Sequence, residues 1–349
     1  MTTSHTQPNN FDFLRIVAAC LVIFAHQFAL MAQDAPVFFP VRYGELGVCI
    51  FFTISGYLVT KSWTNDPHIF RFAARRFLRI WPALLVVTSL AALVLGPIMT
   101  DLSLSSYFHS KETWTYFNAL LLKIQFLLPG VFLTNPYPIA VDGALWSIPL
   151  EVKWYFILLI GGALRMLNFK WLILAIMAAL AAYHFGIYHA ETNPEQNYSH
   201  SYGLYFIYGV CLQLFSDSWQ ERKLYGFVIV SICAYAIHAA GHSLIALWVA
   251  LPYYVIAFGS LSTPVTRRFG RYGDLSYGIY IYAFPVQQLI IALNQGKYSL
   301  PVCLLLSLCC AVALAYCSWH LVEKPALRFK PKTWSAKANR EAPIFTAVA

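Results

Sequence analysis

The chain reads as an all-α protein, a polytopic membrane helix bundle of about ten transmembrane helices, and three observations predict this. It carries 24 Lys and Arg and 15 Asp and Glu in 349 residues, while 59% of its residues are hydrophobic. A water-facing surface around a chain this long needs roughly a quarter of its residues charged, so a soluble enzyme is excluded. Finally, apolar stretches recur near 11–31, 44–62, 80–100, 145–164, 171–189, 201–216, 224–240, 243–260, 275–293 and 301–322. Each is close to the 20 or so residues that a bilayer-crossing helix needs. The net charge of +9 is therefore read by position along the chain, not as a nucleic-acid footprint.

The N-terminus (1–10) is expected to be short and cytoplasmic. Its first eight residues contain no Lys or Arg, and Asp12 and Arg15 interrupt the apolar stretch behind it, so a cleaved signal peptide is not expected. The segment 114–133 is a weaker eleventh span, because it contains Lys123 and runs into the breaker-rich LPGVFLTNPYP. If it does not cross, 18 of the 24 basic residues fall on the side of the N-terminus; if it does, 13 of those 18 move to the other side. The positive-inside rule favours ten spans with both termini cytoplasmic. The membrane domain is then 11–322, with an outer excursion over 101–144 that can re-enter the membrane only where protein covers its backbone. A basic tail, 323–349, follows on the cytoplasmic side.

Ionisable groups inside spans are costly and point to function. In the first span Arg15 and His26 are 11 residues apart, so they share a stripe, about 20° apart in rotation and about 16 Å apart in depth. Asp12 precedes Arg15 by three residues and can pair with it. Glu151 is placed about 9 Å below the outer end of the fourth span, at a depth similar to that of His26. A His26–Glu151 pair would fix the imidazole tautomer for general-base work. Taken alone, Arg15 reads equally well as a snorkelling anchor, His26 as a satisfied core histidine, and Glu151 as the partner of Lys153 or Arg15.

The inner segment RFAARRFLRIWP sets Arg71, Arg75 and Arg79 at i, i+4 and i+8, with Arg76 alongside. Without a nearby acid, such a ridge suits phosphate oxygens, which guanidinium forks grip bidentately. The alternative is a topological signal or an acidic-lipid contact. Gly44, Gly47, Ser55 and Gly56 of the second span suit close helix packing. Asp142, Trp146 and Ser147 mark the outer mouth of the fourth span, and Tyr277 and Tyr280 belong to an aromatic run ending at Pro285. Neither the histidines nor the eight cysteines show metal-ligand spacing, so no metal site is expected.

Together these segments resemble the acyltransferase-3 family of integral membrane acyltransferases. The carrying residues are Asp12-x-Leu14-Arg15 followed by His26, GELGVCIFFTISGYL with Ser55-Gly56, and Arg75-Arg76-x-x-Arg79 followed by Pro82. Trp146-Ser147 with Glu151, Ser276-Tyr277-Gly278-x-Tyr280 with Pro285, and Glu323-x-Pro325 complete the set. The six elements stand in family order over 12–325, nearly the whole chain.

The resemblance implies an O-acyltransferase that moves an acetyl group from cytosolic acetyl-CoA to a hydroxyl of a surface polysaccharide or its lipid-linked precursor, in a bacterial inner membrane. Acceptors of that kind include O-antigen, capsule, exopolysaccharide and peptidoglycan. The chain resembles members without an esterase-like extension. In that setting His26, Glu151 and Arg15 would be catalytic. Arg71, Arg75, Arg76 and Arg79 would hold the donor's phosphates, and Asp12, Ser55, Asp142, Trp146, Ser147, Tyr277 and Tyr280 would line the substrate path. Two positions depart from the family pattern: Ala283, where many relatives have histidine, and Cys49, where many have a polar residue. A competing reading is a flippase for lipid-linked sugars, and another keeps the enzyme but gives it a small-molecule acceptor. No inverted repeat of the kind transporters carry is evident.

Overall fold

A computed structural model describes residues 9–38, 40–190 and 198–331. Most of the expected N-terminal segment 1–10 and the tail beyond 331 lie outside the described residues.

Every apolar stretch is helical. In chain order the long helices are α1 (Phe11–Leu30), α2 (Tyr43–Asn65), α3 (Ile69–Met99), α4 (Ala144–Ala163), α5 (Lys170–Ile187), α6 (Tyr198–Leu214), α7 (Lys223–Ala239), α8 (Ser243–Gly259), α9 (Ser276–Asn294) and α10 (Leu300–Leu327). Seven of them (α1 to α5, α9 and α10) are long and apolar enough to cross a bilayer, and α8 is a shorter apolar helix. The strands among the described residues are Val37–Phe38 and Val41–Arg42, which pair in a small hairpin between α1 and α2. The molecule is an all-α, multi-pass membrane bundle.

The third helix begins at Ile69, well before the apolar stretch at 80. The arginine segment is thus the first turns of α3, not a loop. Phe72, Arg75, Ile80, Ala83, Leu84 and Val87 fall on one buried helical stripe, and the His68 imidazole caps the start by accepting from the Arg71 N–H. At 31 residues the helix is about 46 Å long, well beyond a hydrocarbon core of about 30 Å. Its arginine-bearing turns can therefore stand in the interface.

The excursion between α3 and α4 holds only short helices, Leu104–His109, Lys111–Thr115 and a 3-10 turn at Tyr116–Leu121. No helix in 114–133 is long enough to cross. The segment nevertheless folds back against α3: the Leu120 carbonyl accepts from the Trp81 indole at 3.0 Å, and Tyr107, Tyr116, Val131 and Val141 are fully buried. Its return is tied to its start where Asp101 N–H bonds the Gly130 carbonyl. Residues 101–106 are exposed, so only part of the excursion is covered by protein.

Small residues let the central helices touch. A Cβ on Gly47 would press on the Ala18 carbonyl of α1, and one on Gly56 would overlap the Phe206 carbonyl of α6. Helix α2 therefore lies between α1 and α6 at backbone-contact range. Ala283, 1% exposed, joins Ala19, Ile23, Ala311 and Ala315 in a seam between α1, α9 and α10. On the periphery, α7 buries none of its residues, the signature of a lipid-facing helix.

Candidate active site

The arginine end is a charge network satisfied largely by acids that the sequence reading had not paired. Asp66, only 3% exposed, terminates α2 and receives Arg71 at 2.6 Å and Arg75 at 2.7 Å. The Arg71 guanidinium bonding it holds its carboxyl below the usual range, with Arg75 adding to the effect against burial. Asp274, just before α9, receives Arg79 at 2.7 Å and Arg15 at 3.1 Å. Burial pushes its carboxyl up, but the two guanidiniums outweigh that and leave it at about 2. Arg79 also reaches Glu323 of α10 at 3.4 Å, and Arg15 reaches Asp12 at 3.3 Å.

The expectation of an arginine ridge with no acid nearby is thus corrected. Three of the four arginines are braced by carboxylates from α2, α9 and α10. Arg76 differs. It packs over the Phe72 and Tyr155 rings at 5.9 and 5.8 Å, forms no salt bridge among the described residues, and has a buried Nε without a hydrogen-bond partner.

Arg76 lines a cavity of about 90 Å³ among the helices, together with Arg15, Arg79, Ser55, Glu151, Tyr155 and Tyr277; farther up, its wall includes Ser147 and Tyr280. By the same measure one water needs about 10–15 Å³, so the space admits a narrow chain of several atoms. Glu151 is fixed within it. Its carboxylate accepts from Ser55 Oγ at 3.0 Å and from the Tyr155 hydroxyl. Farther from the arginines, the Tyr280 hydroxyl donates to the Ala144 carbonyl at 2.9 Å and lies 2.7 Å from Ser147 Oγ. The Tyr277 hydroxyl bonds the Ile80 carbonyl at 3.0 Å, and Arg79 stacks over its ring.

His26 stands beyond this cavity. Its ring meets Phe284 edge-on, with centroids 5.1 Å apart, and Phe284 follows Tyr280 by one helical turn. The expected His26–Glu151 pair is not formed. Gly47 of α2 faces Ala18 and Val22 of α1, so Ser55, eight residues on, lies about 12 Å nearer the arginines, and Glu151 is bonded there. The miscount has a physical source. Helix α4 starts inside the bundle: Gly143 already lies against Phe284, at the level of His26, and Glu151 comes about two turns farther on.

Asp142 sits at that upper level and is fully buried. Its Oδ1 accepts from the Ala144 N–H at 3.0 Å, while Oδ2 has no partner among the described residues. Burial pushes the carboxyl up to about 8 against the pull of that N–H. Trp146 packs on Tyr202 with centroids 5.5 Å apart. The structure thus gathers Arg15, Arg76, Arg79, Ser55, Glu151, Ser147, Tyr277 and Tyr280 around one cavity. It sets Arg71 and Arg75 on Asp66, Asp12 on Arg15, and His26 and Asp142 one level above. Tyr155, Asp66 and Asp274 were missed by the sequence reading, although Asp66 precedes Arg71 by only five residues and Asp274 adjoins the Ser276-Tyr277 motif.

A fold of this class with a charged cavity is that of a multi-pass membrane protein with room for a ligand between its helices. A model of the acyltransferase domain called Acyl_transf_3 matches residues 9–320, and the chain belongs to this acyltransferase-3 family. It is similar to a protein named O-acetyl transferase from Shigella phage Sf6, with 31% identity over 338 residues that cover 93% of this chain and 98% of the relative. It is also similar to nodulation protein 10 of Rhizobium leguminosarum bv. viciae, with 28% identity over 361 residues covering 92% and 94%. No solved structure matches it significantly. The chain is a multi-pass membrane acyltransferase.

Proposed function

We propose that the protein transfers an acetyl group from cytosolic acetyl-CoA to a hydroxyl of a surface polysaccharide or its lipid-linked precursor, across ten spans with both termini cytoplasmic. The observation that carries this reading is the cavity that leads from Arg76 and Arg79, past Glu151, to Ser147 and Tyr280. It ends one helical turn short of Phe284 and His26. The name of the phage relative, an O-acetyl transferase, supports acetyl as the group moved and oxygen as its destination.

In this mechanism the donor's phosphates stay at the arginine end. Arg76, the guanidinium outside the ion pairs, meets them, while Arg71, Arg75 and Arg79 hold the helix ends that frame the entrance. The thin pantetheine arm fills the cavity. At its upper end the acceptor hydroxyl oxygen attacks the thioester carbonyl and His26 takes the hydroxyl proton; the carbon–sulfur bond breaks, and the coenzyme thiolate leaves and is protonated. Arg15 and Glu151 act below the reacting atoms, lining the arm's path.

The test is to incubate membranes with labelled acetyl-CoA and follow label into surface polysaccharide. General-base catalysis is worth about 10²–10⁴-fold, so His26→Ala should lower incorporation at least a hundredfold with the protein still in the membrane. Wild-type membranes that move sugar without transferring label would favour a flippase and overturn the reading.

A further inference from the structure

A second cavity opens at the end of the bundle opposite the arginines, and nothing in the mechanism above uses it. It is about 70 Å³ and lies between the first turns of α2, α6 and α8 and the last turns of α5. Glu45, His184, Ser201, Tyr205 and Trp248 supply its polar wall. By the measure in which one water needs about 10–15 Å³, it holds about five waters, or one hydroxylated six-membered ring.

Three independent features mark it as a ligand site. First, its lining carries polar groups the protein leaves unsatisfied. His184, 6% exposed, is bonded through Nε2 to Ser201 at 3.2 Å, but its Nδ1 and the Trp248 Nε1 are buried and have no partner among the described residues. Leaving such groups unpaired is costly, and native proteins rarely tolerate them without a reason. Second, His184 sits on a π-helical segment, Ala182–Ile187, an irregularity common at functional sites. Third, the lining contains an acid but no Lys or Arg, which disfavours phosphates and carboxylates. Carboxylate, imidazole, hydroxyl and indole N–H groups around aromatic faces suit a neutral polyol.

The position also fits. The Tyr202 ring, on the wall of this cavity, packs on Phe52 and Trp146 with centroids 5.5 Å from each. Phe52 in turn lines the arginine-side cavity. One layer of aromatic rings therefore separates the two spaces. We propose that this second cavity binds a glycosyl unit of the acceptor, stacked on Trp248 and hydrogen-bonded by Glu45 and His184. The proposal rests on the reading of the protein as an acyltransferase of surface glycans, which it deepens by placing the acceptor.

The test uses the full-length protein in nanodiscs and the neutral sugars glucose, galactose, rhamnose and N-acetylglucosamine as probes. Saturation-transfer NMR should show binding of at least one sugar to the wild type. The signal should weaken in Trp248→Phe, which keeps the ring but removes the N–H, and vanish in Leu244→Trp, which fills the space. In acetyl-transfer assays Trp248→Phe should raise the acceptor KM at least tenfold and leave the acetyl-CoA KM unchanged. No sugar binding to the wild type, or binding and acceptor KM unaltered in folded Trp248→Phe protein, would overturn the proposal. The binding arm needs no turnover, so it reports on the subsite even if acetyl transfer itself fails to appear.

Discussion

The two ends of the bundle manage buried polarity in opposite ways. At the arginine end nearly every charge is answered inside the protein. Asp66 takes Arg71 and Arg75, and Asp274 takes Arg15 and Arg79. At the other end, Asp142 Oδ2, His184 Nδ1 and Trp248 Nε1 are buried without partners among the described residues. Ion pairs between helices far apart in sequence fasten the frame, whereas unanswered groups mark where a ligand or proton is expected. Much of the arginine motif is thus architecture, with Arg76 the exception.

Breaking the frame should have the largest effect. Asp274→Ala strips a shared carboxylate from two guanidiniums. Removing one partner of a fully buried pair costs about 3–5 kcal/mol, and these half-buried pairs, 17–23% exposed, should lose less than that. Thermal unfolding in detergent should show a pronounced loss of stability, and an unchanged melting temperature would mean the network carries no structural load. Arg76→Ala should behave oppositely. Its ring contacts are worth about 1 kcal/mol, so stability should barely move, while the apparent acetyl-CoA requirement rises about tenfold in initial-rate assays.

The smallest effect sharpens the upper end. Asp142 has an ordinary carboxyl when unfolded and one raised to about 8 when folded. Its proton is therefore bound only in the folded state between about pH 4 and 8, and stability falls as pH rises through that window. Asp142→Asn removes the dependence. The stability gained over wild type should be near zero below pH 4, grow up to about pH 8 and then level off. A gap independent of pH, in melts across that range, would show that Asp142 is ionised throughout.

Much of the fold was legible because hydropathy reports length and burial directly. All ten apolar stretches became helices, and 114–133 formed no helix long enough to cross. The start of α3 was misplaced because hydropathy ignores the amphipathic turns from Ile69, whose buried stripe includes Arg75. The site was legible as a set of residues but not as a set of pairs. Asp274 is 259 positions from Arg15, and no local pattern links them. Glu151 was set beside His26 by counting down from an assumed surface, when the excursion delivers α4 into the bundle already at the level of Phe284. The second cavity left no sequence signal, since His184, Trp248 and Glu45 come from separate helices.

The path between the two ends can be probed at Ser55, midway along the first cavity. In a Ser55→Cys variant, alkylation at position 55 is read by peptide mass with and without acetyl-CoA, so that reaction at the native cysteines does not interfere. If the donor's arm occupies this space, saturating acetyl-CoA should slow alkylation at position 55 at least tenfold, and Arg76→Ala should relieve that protection. Alkylation at the same rate with and without the donor, in protein that still transfers acetyl groups, would show that the thioester reaches the acceptor by another route.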